Sequence, residues 1–356
     1  RYRHAAPSGP WPWMNFESDI VSETELVPST KEAVEQWKWR GYPQNLFGNW
    51  VADRVARCKM VENCSRDPRE KCRIYYVDAL ESGKFKSARD IDPAIEVDES
   101  AISQLWDQLQ IEVKHGLRLR VLLVDNMKHP VLQMLGTRYN IEPCFFTSSL
   151  NWIPSRYQEE VVKKKGDRIT VTLLFGTAPW DKPAMSSQSK HISCACPGGE
   201  KAIDTQESLL CSPAERYLLE DLLALHIIRS SDPSGSTIIS YHPSAQWNMT
   251  TAERLKNLVQ KVGESAYRQK IFERSKDPSL VLLAILWYAL YAWDESLDHL
   301  YTHMNWLEIN GLSTNDNNLT TELHTVQARL LHYASLLEDF RKSVTSVRSM
   351  PNPILE

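Results

Sequence analysis

The apolar positions between Leu283 and Leu307 advance by alternating threes and fours: Leu283, Leu286, Leu290, Trp293, Leu297, Leu300, Met304 and Leu307. A second series does the same: Leu323, Val326, Leu330, Tyr333, Leu337, Phe340, Val344 and Val347. A mean step of about 3.5 residues keeps one seam of a helix turned toward a partner helix. Between the two series, 310–318 is built from Asn, Gly, Ser, Thr and Asp around one Leu, a loop composition. So short a connection makes two helices antiparallel neighbours, and the pattern predicts a helical hairpin over 278–348. Asp277 supplies an N-cap, and Pro278 a first helical position that needs no N–H.

Pro278 to Trp293 carries no charged side chain. A bilayer-spanning helix needs about 20 apolar residues. This run is shorter, with Asp277 before it and Asp294-Glu295 after it. It is expected as a helix buried on most sides of a protein core, without direct membrane insertion by this chain.

Upstream, residues 1–30 hold Pro7, Pro10, Pro12 and Pro28 without helical or strand period, and read as an extended tail. Strands are predicted over Cys72–Asp78, Leu117–Val124, Arg168–Phe175, Leu219–Arg229 and Thr237–His242, the fourth also having helical propensity. Helices are predicted over Thr30–Trp39, Leu46–Cys58, Ser100–His115, Pro130–Asn140 and from Thr250 to about Arg274, the last with Thr250 and Glu253 as a capping box. The stretch 176–207 is rich in Pro, Ser, Gly and Lys and reads as a mobile insertion. The organisation is then an α/β sheet domain over 31–248 and a helical region over 249–348. The fold class is α/β in the α+β sense: a mixed, largely antiparallel sheet flanked by helices and followed by the long hairpin.

Composition narrows the function. The net charge of −4 offers no basic face for nucleic acid. Lys163-Lys164-Lys165, the most basic run, precedes a Gly-Asp turn and reads as a solvated loop. The 42% hydrophobic share is that of a globular chain. An odd number of cysteines, 7, spread through a large chain fits a reduced compartment. With no apolar signal segment at the start, the sequons at Asn63, Asn248 and Asn318 read as chance matches. Opening on Arg1, the chain is expected to lack its natural start. Neither a nucleophile elbow, a phosphate loop nor a dinucleotide fingerprint is present, so no enzyme is expected.

The ordered set of elements from Leu117 onward resembles the cytosolic part of the CorA family of magnesium transporters, in particular its divergent fungal members. Its carriers are the strand Arg118–Val124, a short helix leading into Ile141-Glu-Pro-Cys144, the turn Asn151-Trp-Ile-Pro-Ser-Arg156, the three later strands, and Lys276-Asp-Pro-Ser-Leu280 with the apolar helix behind it. The family's Gly-Met-Asn pore signature is absent: Met14-Asn15 and Met304-Asn305 lack the Gly. The chain stops at Met350-Pro-Asn-Pro-Ile-Leu-Glu356, where the family's stalk helix would begin. The resemblance therefore implies a cytosolic, cation-sensing regulatory domain without the pore. It would be held on the cytoplasmic side of a membrane as part of a longer protein that self-associates through the missing stalk and membrane part. A soluble interaction module that kept the fold without transport is the alternative.

Candidate metal ligands follow. Asp294 and Asp298 share a helix face at i, i+4, a spacing that can hold Mg²⁺ through one or two carboxylate bonds plus water; a solvated acidic face has the same pattern. In the family, the regulatory cation sites lie between subunits and use the stalk. His191, Cys194 and Cys196 suggest zinc but lack a usual spacing and a fourth ligand. Cys58, Cys64 and Cys72 are unevenly spaced. Glu295, His299 and His303 recur once per turn without a His-Glu-x-x-His run, and the histidines read as surface residues.

Overall fold

The computed structural model describes residues 38–64, 71–85, 95–97, 102–110, 117–179, 208–230, 235–243, 250–265, 271–275, 277–313 and 317–353. The predicted tail (1–30), residues 31–37 of the first predicted helix, and most of the predicted insertion (180–207) lie outside them. The strands are β1 (Cys72–Leu80), β2 (Ile95–Val97), β3 (Leu117–Asp125), β4 (Ser155–Val162), β5 (Gly166–Thr177), β6 (Leu209–Cys211), β7 (Arg216–Ser230) and β8 (Ser236–His242). They form one sheet in the order β2-β1-β3-β8-β7-β5-β4, with β6 on β7. Among the described strands, only β3 and β8 pair in parallel. The mixed, mostly antiparallel sheet expected from the sequence is therefore present.

The helices are α1 (Ala52–Arg57), α2 (Met60–Asn63), α3 (Ile102–Gln110), α4 (His129–Tyr139), α5 (Pro143–Leu150), α6 (Ala252–Glu264), α7 (Ile271–Arg274), α8 (Ser279–Ser313) and α9 (Asn317–Ser349). Helices α5 and α6 lie on opposite faces of the sheet. The ladder places Tyr75, Leu123, Ser240, Leu225 and Val171 in one row. The Lys256 ammonium of α6 stands over Tyr75, and the Ala252 N–H donates to Asp125 Oδ1 at 2.9 Å. The adjacent positions His226 and Thr172 point the other way. There Phe145 of α5 meets His226 with ring centroids 5.5 Å apart, and Ser148 Oγ lies 3.3 Å from Thr172 Oγ1. Buried on both faces, β7 lost the alternation that marks a strand, which explains its ambiguity between strand and helix.

Several predicted details are corrected. Thr251, not Thr250, caps α6: its Oγ1 accepts from the Arg254 N–H at 3.2 Å, while Thr250 donates to Asp221. That helix ends at Glu264 rather than near Arg274. Gly176 and Thr177 close β5, so the insertion begins later. The stretch Leu46–Cys58 is helical only over Ala52–Arg57. Helix α5 gave no sequence signal, because Thr147, Ser148 and Ser149 are poor helix markers. Each hydroxyl bonds back to a carbonyl one turn earlier, so the run is satisfied inside the helix.

The hairpin is antiparallel. His303 faces Glu322, the Trp293 and Tyr333 rings lie 6.0 Å apart, and Asp277 accepts from Asn352 Nδ2 at 3.0 Å, so positions advance in opposite senses. Asp277 also caps α8 through the Ser279 N–H at 2.9 Å, as predicted. Residues 350–353, which follow α9, are not helical. The Pro351 carbonyl accepts from Arg229 Nη2 at 2.7 Å and Gln158 Nε2 at 2.9 Å, beside the buried Arg229–Asp167 ion pair.

Candidate functional site

Helix α8 has two unlike sides. Leu282, Leu286, Ala289, Trp293, Ser296, Leu300, His303 and Leu307 are all buried. They too step by fours and threes. The predicted series is right at Leu286, Trp293, Leu300 and Leu307. It is wrong at Leu283, Leu290 and Leu297, which are 52%, 52% and 38% exposed; Met304 is only half-buried. The same shift of one residue occurs on α9, where Arg329, Leu336 and Ser343 are buried beside Val326, Tyr333 and Phe340.

Geometry explains the shift. Counting from Leu286, Ala289 is displaced about 60° one way round the helix and Leu290 about 40° the other way. Both fit a seam with period 3.5, and hydropathy favours the leucine. The sheet decides otherwise, because α8 packs on β5 as well as α9. Small residues on the sheet side admit close backbone approach, and Trp293 lies over Gly176, where a Cβ would stand 2.8 Å from the indole. The crevice bounded by Trp293, Leu297, Leu300, Tyr333, Leu218 and Leu219 holds about 10 Å³, room for one water.

The uncharged run thus belongs to a 35-residue helix. By length and composition α8 is long and apolar enough to cross a membrane, as core helices also are, and 44% of its most apolar window is buried inside the protein.

Asp294 and Asp298 lie on the outward side, both exposed, one turn apart. Leu283, Leu290, Tyr291, Leu297 and Tyr301 are exposed around them, and Trp287 meets Tyr291 edge to face at 4.8 Å. Glu295 Oε1 is 3.9 Å from His299 Nε2 on the flank. No Lys or Arg occurs between Ser279 and Ser313. Among the described residues, no three His, Cys, Asp or Glu side chains are grouped as a metal site. One copy of this face therefore offers two carboxylates, an incomplete shell for Mg²⁺.

His303 is not a surface residue. It is fully buried in the seam. The Ser212 N–H donates to its Nδ1 at 3.1 Å, which makes Nδ1 the unprotonated nitrogen, and Nε2 faces Glu322 Oε1 at 3.3 Å. Burial holds its pKa below the usual imidazole value, against the pull of Glu322. His191, Cys194 and Cys196 lie outside the described residues. Cys58, Cys64 and Cys72 are buried free thiols near enough for charge on Cys64 to feel the other two. Burial raises all three, Cys72 to about 12, so at neutral pH they are thiols rather than the thiolates a metal needs.

No family model matches the chain, and no curated protein or solved structure was found to be similar to it.

Proposed function

We propose that this chain is the cation-sensing cytosolic domain of a CorA-like divalent metal ion transporter, and that it works through the outward face of α8. One observation carries the reading: Asp294 and Asp298 are exposed one turn apart within an apolar helix face, on a hairpin that follows a mixed sheet. Apolar side chains left half exposed mark a surface that a partner covers. Carboxylates set among them are desolvated when the partner docks, and their repulsion then opposes docking unless a cation or a partner's positive charge offsets it. Asp294 and Asp298 would supply two oxygens to Mg²⁺, and the docked partner the rest. A ligand of this kind biases assembly only by binding the assembled state better. The second reading, an interaction module without transport, is favoured by the same apolar surface and differs in being indifferent to Mg²⁺.

The test is Mg²⁺ titration of the chain and of Asp294→Asn with Asp298→Asn, followed by melting temperature and sedimentation. The isolated chain should gain little thermal stability at millimolar Mg²⁺. A longer chain carrying the part that assembles should gain both association and stability, because an ion bound only by the assembled state stabilises it by mass action. The double variant should lose that response. Association of the longer chain that is the same in chelator and in Mg²⁺ would reject cation sensing and leave the interaction module.

A further inference from the structure

The geometry points to the outward face of α8 as a docking site for an amphipathic helix with basic flanks. This deepens the reading above, and rests on its premise that this face is a working surface. Two observations choose the occupant. The first is spacing. Leu283, Trp287, Leu290, Asp294, Leu297 and Tyr301 advance by fours and threes along the exposed side. That is the period by which one helix presents a seam to another, and a strand or a flat surface has no use for it. Tyrosines at such a face supply large contact area with few rotors to fix.

The second observation is charge. Asp294 stands in the line of the seam, Asp298 and Glu295 stand beside it, and Glu308 lies further along, all exposed. Helix α8 contains no Lys or Arg, and Arg254 of the neighbouring α6, over the Tyr288 ring at 5.8 Å, brings one cation toward these acids. A second α8 laid on this face would bring acids against acids. An anionic bilayer surface would be repelled in the same way. A helix whose apolar seam is flanked by Lys or Arg satisfies both features at once: its leucines cover Leu283, Leu290 and Leu297, and its cations meet Asp294, Glu295 and Asp298. Mg²⁺ on Asp294 and Asp298 would favour the oxygen-donating assembly proposed above and displace the basic helix, so these are alternative occupants of one face, and the cation decides between them.

The experiment uses the whole chain and two synthetic helical peptides of about 18 residues that share one leucine seam. One carries Lys at the flanking positions and the other Glu. Binding is measured by fluorescence anisotropy in chelator. The Lys peptide should bind at least about tenfold more tightly than the Glu peptide, a difference that shrinks as salt is raised. Asp294→Lys with Glu295→Lys and Asp298→Lys should reverse the preference. Leu290→Gln with Leu297→Gln, at exposed positions where folding is not at risk, should weaken the Lys peptide about tenfold. Equal affinity for the two peptides overturns the inference, as does failure of both to bind. So does a homodimer abolished by the leucine substitutions, or binding to uncharged phosphatidylcholine vesicles that those substitutions remove. Repeating the Lys-peptide titration in Mg²⁺ and in NaCl of equal ionic strength separates the two readings. A stronger effect of Mg²⁺ is expected; equal effects would reject cation sensing while leaving the helix-docking site standing.

Discussion

On the sheet side of α8, Leu300 is buried beside Trp293, Leu218 and Tyr333, and on the opposite side Leu283 and Leu290 remain half exposed. The residue types are the same and the helix is the same. What differs is the surface opposite: β5, β7 and α9 on one side, and solvent on the other. The buried side also holds Ala289, Ser296 and His303, which no hydropathy scale would choose before a leucine. Apolarity therefore says that a helix has a face to cover, and close packing decides which face the fold itself covers.

The largest effect should separate the two sides by substitution. Leu300→Asp places an unpaired carboxylate in the packed seam and should cost about 4 kcal/mol or more, enough to unfold or aggregate a protein of ordinary stability. Leu297→Asp, three residues earlier at the edge of the exposed face, should cost about 1 kcal/mol and leave the protein folded. Urea denaturation of both variants checks this. Comparable losses would mean that the seam runs through Leu297, as hydropathy alone suggests.

What the sequence could reveal divides along the same line. Five of the eight described strands were legible because β-branched and aromatic runs such as Arg168–Phe175 have no other good use; β2, β4 and β6 gave no such signal. The hairpin was legible from its period, since half of each series survives either choice of seam. The other half was not, because two series sharing Leu286, Trp293, Leu300 and Leu307 differ only in which neighbour they take. Helix α5 was hidden by its hydroxyls, whose partners are one turn away rather than in the sequence pattern. Asp294 and Asp298 were legible as a pair one turn apart. Their setting within an exposed apolar face was not, because the hydropathy period places Leu290 and Leu297 in the interior, whereas both are exposed. The order of strands in the sheet, with β8 between β3 and β7, carries no local signal and required the structure.

A second, smaller effect should appear with pH, and it belongs to the buried side. His242 is fully enclosed, its Nε2 2.9 Å from Ser240 Oγ, and burial pushes its pKa down to about 3. His303, in the α8 seam, is lowered for the same reason. A histidine held below its unfolded pKa of about 6.5 binds fewer protons folded than unfolded, so stability is fully present above that pH and is lost as pH falls. The window runs from about 6.5 down toward 3, the value reached by His242. Each pH unit inside it costs about 1.4 kcal/mol from His242 alone, or about 3 kcal/mol by pH 4.5. Urea midpoints at pH 7 and pH 4.5 measure the loss. His242→Asn should flatten most of the dependence and His303→Asn a smaller part. A slope unchanged in both variants would place the acid sensitivity elsewhere.

The smallest effect tests the contact that selects the buried side. Trp293 lies across β5 at Gly176, and an added Cβ would stand 2.8 Å from one ring carbon and 3.0 Å from the next, closer than a packed interior allows. Both partners are constrained: the glycine by its ladder with Glu220, the indole by the Tyr333 ring 6.0 Å away. Gly176→Ala should therefore destabilise by about 2 kcal/mol, the usual range for overpacking a core. Trp293→Leu should also destabilise, by leaving space beside Leu300 and Tyr333. If the contact sets the rotation of α8, the two changes together should cost less than their sum by about 1 kcal/mol or more, because the smaller side chain admits the new methyl. The same cycle between Gly176→Ala and Leu290→Ala, on the exposed side, should be additive. Additivity in the first cycle would show that Gly176 is tolerated rather than required, and that α8 is oriented by its other contacts, with α9, α6 and β7.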